Sequence, residues 1–341
     1  MEFGVFDHLD RGDVSLQDFY DNRLRLVEAY DRTGFYSYHV AEHHATPLGM
    51  APSPSLFMAA VAQRTRWLRF GPLVYTLPLY HPIRLTEEIC MLDQMSHGRL
   101  QLGIGRGISP IENAYYGLKP EDARQMYEEA WQIIQQGLAT QRVDFAGKFY
   151  TYKNVPIALE PIQRPHPPLW YGVSLPEVVE WPARQGINVV SNNTTGSVRK
   201  ITDGYRAIWH QLGRDAKELP KLGMTRFLVI ADTDEQAIEA GRQAYRKWQS
   251  SFMHLWKLHG RDPVFVSFPE EIDGLLEDGR AVCGAPETVT EQLRKQADEA
   301  GINYLMCRFA FGTLPVEDAL RSVEMFARHV MPVLRELRPA A

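Results

Sequence analysis

A short stretch of the chain, AEHHATP at residues 41–47, places a glutamate directly before two histidines. Such a cluster could bind a metal, transfer protons, or end a buried strand with polar residues. Side chains alternate along a strand, so Glu42 and His43 should point to opposite faces, which disfavours joint chelation of one ion. The pattern favours proton transfer by His43, with a solvated histidine at a strand end as the structural alternative.

A second candidate site is the glycine-rich stretch LGIGRGISP at residues 102–110. It does not complete the dinucleotide fingerprint G-x-G-x-x-G, because position 108 is Ile108. Its glycines predict a close approach of the backbone to a neighbour. Arg106 lies among them, and a guanidinium beside exposed amides is suited to an anion such as phosphate. The alternative is a glycine-rich turn with a solvated arginine.

The elements that must position these residues follow a regular order. Short apolar segments of high β-propensity alternate with longer helical patterns. Strands are predicted at residues 2–7, 36–43, 69–76, 99–105, 169–173, 187–191, 224–231 and 303–309. Helices are predicted at residues 15–33, 54–65, 82–96, 121–139, 175–185, 197–212, 234–258, 286–300 and 316–337. This order is typical of an α/β, TIM-like (β/α)8 barrel, whereas a doubly wound sheet would leave strands over.

The second predicted strand orients the histidine cluster. Its small and polar face should line the barrel interior, and this face comprises Ser37, His39, Ala41 and His43. The opposite face should contact the surrounding helices. His43 would then lie at the carboxyl end of a barrel strand, which is where barrel enzymes build their active sites.

Two stretches interrupt the alternation of strands and helices. Residues 142–155 alternate with period two and predict an inserted hairpin. Residues 259–282 show no sustained period and predict a long, mobile lid loop. The expected organisation is therefore one barrel domain over residues 1–341 that carries both insertions.

Composition narrows the classes of partner and compartment. The 341 residues include 37 basic and 42 acidic side chains, so a net charge of -5 gives no electrostatic case for nucleic acid. No apolar run reaches the roughly 18 residues that a membrane span needs. The acidic N-terminus is unlike a signal peptide. Three widely spaced cysteines without a CxxC pair disfavour a thiol-rich zinc site and a disulfide framework. We expect a cytoplasmic protein without a metal site.

Four separated segments resemble the bacterial luciferase-like flavin monooxygenases, over about residues 1–337. They are EHH (42–44), the stretch 77–110 with LDQMSHGR followed by GIGRG, ARQMYEEAWQIIQQGL (123–138), and 282–309 with MPVLREL (331–337). The resemblance implies a TIM-like barrel that receives reduced FMN from a separate flavin reductase. It further implies that reduced FMN and dioxygen are used to insert one oxygen atom into an organic substrate, and that the chain forms a homodimer through its second and third helices.

The resemblance also implies roles for individual residues. His43 matches the first histidine of the family's EHH, its proposed acid/base. Arg106 and Arg124 match the two arginines that bind the FMN phosphate.

Four further positions follow from the same resemblance. Leu73 and Val74 fall where luciferase has a non-proline cis peptide under the flavin ring, and Ser174 and Leu175 fall where it contacts the phosphate. This chain departs from luciferase at Gly105, where luciferase has a reactive cysteine, and at Ser174, where it has an acidic residue. Light emission from a long-chain aldehyde is not implied.

The leading hypothesis is a two-component, FMNH2-dependent monooxygenase. A deazaflavin-dependent dehydrogenase or reductase on the same fold is an alternative, as is a flavin-binding relative without activity. The predicted helix 234–258 carries a stripe of apolar, mostly aromatic side chains (the aromatic stripe) that is either core packing or, in part, the wall of an apolar pocket beside the lid. Its members are Tyr245, Trp248, Phe252, Leu255 and Trp256. A small hydrophobic or aromatic substrate is expected.

Overall fold

The structure is a computed structural model that describes residues 1–263 and 268–337. Within this part of the chain, the strands are β1 (Glu2–Asp7), β2 (Ser37–Val40), β3 (Arg69–Pro72), β4 (Tyr75–Thr76), β5 (Leu102–Gly105), β6 (Arg142–Ala146), β7 (Thr151–Pro156), β8 (Leu169–Gly172), β9 (Asn188–Ser191), β10 (Leu222–Ile230), β11 (Ala281–Gly284) and β12 (Tyr304–Arg308). The α-helices are α1 (Leu16–Thr33), α2 (Pro54–Arg64), α3 (Pro82–Met95), α4 (Pro110–Tyr115), α5 (Ala123–Thr140), α6 (Glu180–Gln185), α7 (Thr195–Gln211), α8 (Asp234–Leu258), α9 (Asp273–Glu277), α10 (Pro286–Ala300), α11 (Val316–Met325) and α12 (Met331–Arg335).

Parallel strands form a barrel in chain order. β1 pairs with β2 and β2 with β3, while β5, β8, β9, β10 and β12 continue the sheet back to β1. A bridge between Phe70 and Leu100 joins β3 to the chain entering β5, and β4 pairs with β5. The last barrel strand therefore pairs with the first. This closure confirms the TIM-like α/β prediction, and the doubly wound alternative is wrong.

Local sequence signals explain where several helices begin. Ser15 caps α1 by accepting the N–H of Asp18, and Thr233 caps α8 by accepting the N–H of Gln236. Pro286 occupies the first turn of α10, where its missing N–H costs nothing. These predicted starts are confirmed. Among the described helices, none combines the length and the apolar character that a membrane crossing requires.

Two predicted helices are interrupted. The stretch predicted at 175–185 contains a 3-10 turn, Pro176–Val178, before the short α6. The stretch predicted at 316–337 contains a π-helical turn, Phe326–Val330, between α11 and α12. Pro332 follows this turn and has no backbone N–H to donate into a regular helix, so the hydrogen-bond pattern shifts there.

The second barrel strand has the predicted faces but ends earlier than predicted. Tyr38 and Val40 belong to the core between the barrel and its helices. Ala41 packs inside the barrel, and the ring of His39 lies 4.7 Å from that of Trp170. The strand stops at Val40 rather than at residue 43. The EHH cluster therefore lies in the loop after the strand, where alternation no longer dictates side-chain direction.

The two predicted insertions have different outcomes. β6 and β7 pair antiparallel and form the hairpin expected over residues 142–155. The stretch 259–282 is not a continuous loop, because it contains α9 and the start of β11, which pairs with the carboxyl half of β10. Residues 264–267 of this stretch lie outside the described residues. The mobility of the proposed lid stays a prediction.

Glycines let β5 approach the chain between β3 and β4. A Cβ on Gly103 would lie 2.2 Å from the carbonyl oxygen of Pro72. We expect Gly103→Ala to lower the free energy of unfolding by about 1–3 kcal/mol, the usual cost of overpacking, as measured by urea denaturation. Gly172→Ala on β8 is the matched control, because no atom lies within 4 Å of its added Cβ. Equal losses in both variants would contradict a steric cause.

Candidate active site

The residues predicted to form the site lie around one end of the barrel. The ones that follow a barrel strand, or interrupt one near its end, are His43, Leu73, Val74, Arg106, Ser174 and Leu175. Carboxyl ends of parallel barrel strands meet at the same face, so the fold brings these positions to a common rim. Arg124 joins them from the first turn of α5.

Glu112 holds the imidazole of His43, a contact that sequence reasoning missed. Nδ1 of His43 lies 3.1 Å from Oε1 of Glu112, and Oε2 of the same carboxylate accepts the backbone N–H of His44 at 2.7 Å. The side chains of His43 and Glu112 are 15% and 9% exposed. An ionised carboxylate accepts a proton-bearing Nδ1, which leaves Nε2 of His43 as the nitrogen that can exchange a proton.

This pairing sets the protonation of His43. Burial lowers the pKa of its imidazole, but the charge of Glu112, its hydrogen bond and the charge of Glu42 together outweigh burial, so the pKa is raised above 6.5. Burial raises the pKa of the Glu112 carboxyl. The charge and hydrogen bond of His43 and the hydrogen bond from the His44 N–H outweigh burial, so the pKa of Glu112 is lowered. Around neutral pH the imidazole therefore holds its proton more firmly than a free histidine does.

The imidazole of His44 has different polar partners from the imidazole of His43. Its Nε2 lies 2.9 Å from Oε1 of Glu42, and its Nδ1 lies 2.8 Å from the hydroxyl of Tyr116. The other oxygen of Glu42 accepts the hydroxyl of Tyr80 at 2.7 Å and the N–H of Thr76 at 3.2 Å. Because the strand ends at Val40, the imidazoles of the two histidines pair with two different carboxylates, Glu112 and Glu42.

A second imidazole stands beside the first. The rings of His8 and His43 are stacked with centroids 5.8 Å apart and an interplanar angle of 21°. Burial, followed by the charges of Arg308 and His43, lowers the pKa of His8 well below 6.5. His8 is therefore neutral when His43 is protonated, and the pair can carry a single proton.

A cleft opens directly against His43. The space in the cleft, with the solvent-open space at its mouth, is about 460 Å3, and its lining includes Glu112, Ile108, Phe252, Leu255 and Trp256. The aromatic stripe of α8 is thus divided, because Tyr245 and Trp248 pack in the core while the three later members line the cleft. An apolar wall facing an acid/base pair can accommodate an organic substrate and limit the access of water.

The two candidate phosphate arginines are available at the surface. Arg106 forms no hydrogen bond or ion pair with the residues that the structure describes. Arg124 is 79% exposed, and its Nε donates to Glu128 at 2.9 Å. Burial raises the pKa of Tyr171, and the charges of Arg106 and Arg124 both oppose this rise. The charges of both guanidinium groups therefore act on the same phenol.

The other residues predicted to contact the cofactor lie in two separate places, at Leu73 and Val74 and at Ser174 and Leu175. The peptide bond between Leu73 and Val74 is cis, as the resemblance implies. Ser174 and Leu175 are exposed after β8, and the carbonyl of Ser174 accepts the side-chain amide of Asn193 at 2.6 Å. The helix predicted to open at these residues begins with a 3-10 turn, Pro176–Val178, and continues as the short α6. The aligned peptide dipoles of this interrupted segment are few, so it supplies less field to an anion than a continuous helix of the same length would.

Comparison with known proteins identifies the class to which this barrel and site belong. The model of the luciferase-like monooxygenase family matches residues 1–304. The chain belongs to this family.

Two relatives show how the similarity is distributed. An uncharacterized protein of Sinorhizobium fredii, y4wF, is 43% identical over 94% of this chain and 93% of its own length. The oxygenase component of a flavin-dependent trigonelline monooxygenase from Acinetobacter baylyi is 30% identical over 71% of this chain and 69% of its own length.

Solved structures share the fold. Monooxygenase RslO1 from Streptomyces bottropensis superposes with a TM-score of 0.86 at 25% identity, covering 97% of this chain and 99% of that chain. The oxygenating constituent of 3,6-diketocamphane monooxygenase from Pseudomonas putida, in complex with FMN, gives 0.82 at 21% identity, covering 97% and 98%. An F420-dependent secondary alcohol dehydrogenase gives 0.70 at 18% identity, covering 98% and 99%. The fold alone therefore does not separate oxygenation from deazaflavin chemistry.

Proposed function

We propose that this protein is the oxygenase component of a two-component, FMNH2-dependent monooxygenase that oxygenates a small, hydrophobic organic substrate. The observation that carries the proposal is the His43–Glu112 pair, which faces an apolar cleft at the barrel rim that also bears two available arginines. A separate flavin reductase would supply the reduced FMN. The "oxygenase component" named for the trigonelline relative supports this division of labour.

The residues present fit FMN. Arg106 and Arg124, whose charges both act on Tyr171, suit a phosphate dianion, because guanidinium groups form charge-assisted hydrogen bonds with phosphate oxygens. Leu73 and Val74 would contact the flavin ring, and Ser174 and Leu175 the phosphate end. Reduced FMN, when bound, supplies the electrons that activate dioxygen.

His43 would act as the proton-transfer group. Glu112 fixes its ring through Nδ1 and raises its pKa, so Nε2 can deliver a proton toward the cleft and take one back near neutral pH. Phe252, Leu255 and Trp256 would hold the substrate's apolar body and limit the entry of water. The proposed lid would complete this exclusion.

We further propose that the protein forms a homodimer through α2 and α3. Large apolar side chains are exposed on these helices, among them Leu56 (76%), Met91 (51%) and Met95 (40%). Charged substitutions at Leu56 and Met91 should shift the sedimentation coefficient from that of a dimer to that of a monomer. A monomeric wild-type protein would contradict the proposal.

The phosphate locus gives a direct binding test. Arg106→Ala and Arg124→Ala should each weaken FMN binding by about tenfold or more, the range for hydrogen bonds to charged groups, in fluorescence titrations. Riboflavin, which lacks the phosphate, should respond little to either change.

A matched control is Arg84→Ala. Arg84 is 81% exposed and pairs with Glu88 four residues later, as Arg124 pairs with Glu128, but it lies on α3. Its replacement should leave both affinities unchanged. Equal losses for FMN and riboflavin in the Arg106 and Arg124 variants would show that the phosphate role is wrong.

A further inference from the structure

His8 is a partly exposed imidazole at the mouth of the barrel. It follows Asp7, the last residue of β1, and therefore lies at the carboxyl end of a barrel strand. Its ring contacts the ring of Phe6, with centroids 4.9 Å apart, and Phe6 packs inside the barrel. His8 is thus the next side chain on the interior face of this strand, and Phe6 lies beneath it.

Both nitrogens of the His8 imidazole are available to a ligand. In the part of the chain that the structure describes, neither nitrogen has a hydrogen-bond partner, and neither is fully buried. His39, the interior histidine on β2, differs in this respect, because it is 0% exposed. A polar atom that is unpaired and accessible can bond to an incoming molecule without breaking a contact within the protein.

The backbone around His8 is fixed by its neighbours. Oδ1 of Asp7 accepts the N–H of Leu9 at 2.7 Å, and Oδ2 accepts the hydroxyl of Tyr38 at 3.0 Å. Leu9 has a φ of 49°, in the left-handed region that residues other than glycine rarely adopt. The chain therefore turns sharply after His8, and the imidazole is positioned before a ligand arrives.

His8 and His43 offer a ligand opposite hydrogen-bonding roles. Glu112 binds Nδ1 of His43 and the pKa of that imidazole is raised, so its Nε2 is a donor near neutral pH. Burial, followed by the charges of Arg308 and His43, lowers the pKa of His8 well below 6.5, so one of its nitrogens is a bare acceptor. Neighbouring groups whose pKa values are pushed apart take opposite roles toward a proton.

A hydroxyl group matches this pair of imidazoles. Its oxygen accepts one hydrogen bond and its proton is donated in another. The rings of His8 and His43 are stacked with centroids 5.8 Å apart, about twice the length of a hydrogen bond of roughly 2.9 Å. One hydroxyl oxygen between the ring edges is therefore close enough to bond to both. A ketone or an ether only accepts hydrogen bonds, and it leaves the acceptor nitrogen of His8 unpaired.

The other neighbours of His8 are aromatic. Its ring centroid lies 5.4 Å from that of Trp248, and Trp248 stacks on Phe252 with centroids 5.6 Å apart. Phe252 lines the cleft together with His43. The imidazole pair is thus a polar point beside apolar walls, an arrangement in which a few polar contacts orient a mostly apolar ligand.

We propose that His8 accepts a hydrogen bond from a hydroxyl group on an otherwise apolar substrate and thereby determines substrate specificity. The inference rests on the proposed function and refines its substrate class, from a hydrophobic molecule to a hydrophobic alcohol or phenol. Nε2 of His43 would donate to the oxygen of the same hydroxyl group, while Phe252 and the rest of the cleft wall would hold the apolar body. The hydroxyl group would fix which part of the substrate lies beside His43.

The test compares hydroxyl compounds with their methyl ethers, which keep the oxygen and lose the donated proton. Para-cresol and benzyl alcohol are titrated against their methyl ethers by isothermal calorimetry on the full chain, near neutral pH, where para-cresol keeps its proton. We expect each hydroxyl compound to bind at least about tenfold more tightly than its ether. His8→Phe should abolish this preference, because it keeps a ring and removes the acceptor. His8→Gln should retain part of it, because its amide oxygen accepts a hydrogen bond.

His39→Phe is the matched control. The ring of His39 lies 4.7 Å from that of Trp170 in the barrel interior, but the residue has no accessible surface. Its replacement should leave the preference for hydroxyl compounds unchanged. The melting temperature of His8→Phe should stay close to that of the wild type, because the imidazole has no hydrogen bond to lose within the described residues. A large fall in the melting temperature would indicate a structural role and overturn the proposal.

The titration separates this inference from the proposed function. It requires no turnover, and it is performed without flavin and repeated with FMN. Equal affinities for hydroxyl compounds and ethers, or no binding of either hydroxyl compound in both conditions, would refute the hydroxyl site and leave the monooxygenase proposal intact. A His8→Phe protein that loses affinity for FMN would assign the residue to the cofactor and also overturn the inference. Failure of the monooxygenase proposal would appear instead in the oxidation of reduced FMN, which this titration does not measure.

Discussion

Replacing His43 with alanine is expected to lower product formation about 10²–10⁴-fold, the usual contribution of a general acid–base residue, while FMN affinity changes little. The imidazole is held by Glu112 and faces the cleft, and it contacts neither of the arginines proposed to bind the phosphate. Without it, dioxygen should still oxidise the reduced flavin, but the dioxygen should be released as hydrogen peroxide and its oxygen should not enter a product. The measurement is the yield of product and of peroxide per reduced FMN consumed.

His44→Ala is the comparison for this variant. It removes a partner of the buried Glu42 and should lower the free energy of unfolding by about 1–3 kcal/mol, the cost of an unsatisfied buried acceptor. It should affect coupling less than His43→Ala does. A His43→Ala enzyme that couples flavin oxidation fully to product would show that the residue takes no part in proton transfer.

Glu112→Gln is expected to move the pH dependence of turnover toward acid. In the wild type, burial lowers the pKa of His43 and Glu112 more than reverses this, so removing the carboxylate charge leaves burial dominant and lowers the pKa. Turnover that depends on the protonated imidazole of His43 should then be lost at a lower pH than in the wild type. The decline in activity should be largest above neutrality. The profile of kcat against pH measures this directly.

The same pair makes a stability prediction with a defined sign. The raised pKa of His43 stabilises the fold below its unfolded pKa, and this contribution is lost as pH rises through the folded value. The lowered pKa of Glu112 stabilises above its unfolded pKa, and this contribution is lost as pH falls through the folded value. Both contributions are present between the folded pKa of Glu112 and the folded pKa of His43. Glu112→Gln should therefore lower the free energy of unfolding most in this pH range. An unchanged rate profile and unchanged stability there would contradict the coupling.

Strand positions could be predicted because the barrel repeats one local signal. Each β-rich apolar run is followed by a helix, and alternation correctly assigned Tyr38 to the helix side and His39 to the interior. β11 was missed because its four residues, Ala281–Gly284, lie at the end of an irregular stretch. Its formation depends on pairing with the long strand β10, which no local pattern reveals.

The site was only partly predictable for the same reason. Ser109 and Glu112 have the spacing of a capping box, and Ser109 does accept the N–H of Glu112, so the sequence contained a signal for α4. The contact of Glu112 with His43 joins residues 69 positions apart and arises only when the barrel closes.

FMNH2-dependent oxygenation is tested most directly by mixing the protein with reduced FMN under anaerobic conditions. Oxygen is then added while the absorbance of the flavin is recorded. We expect that reduced FMN binds and that oxidised FMN returns at a rate different from that of free flavin. Arg106→Ala should restore the free-flavin rate. Reoxidation at the free-flavin rate in the wild type, together with tight binding of a reduced deazaflavin, would contradict an FMNH2-dependent monooxygenase and favour the dehydrogenase alternative.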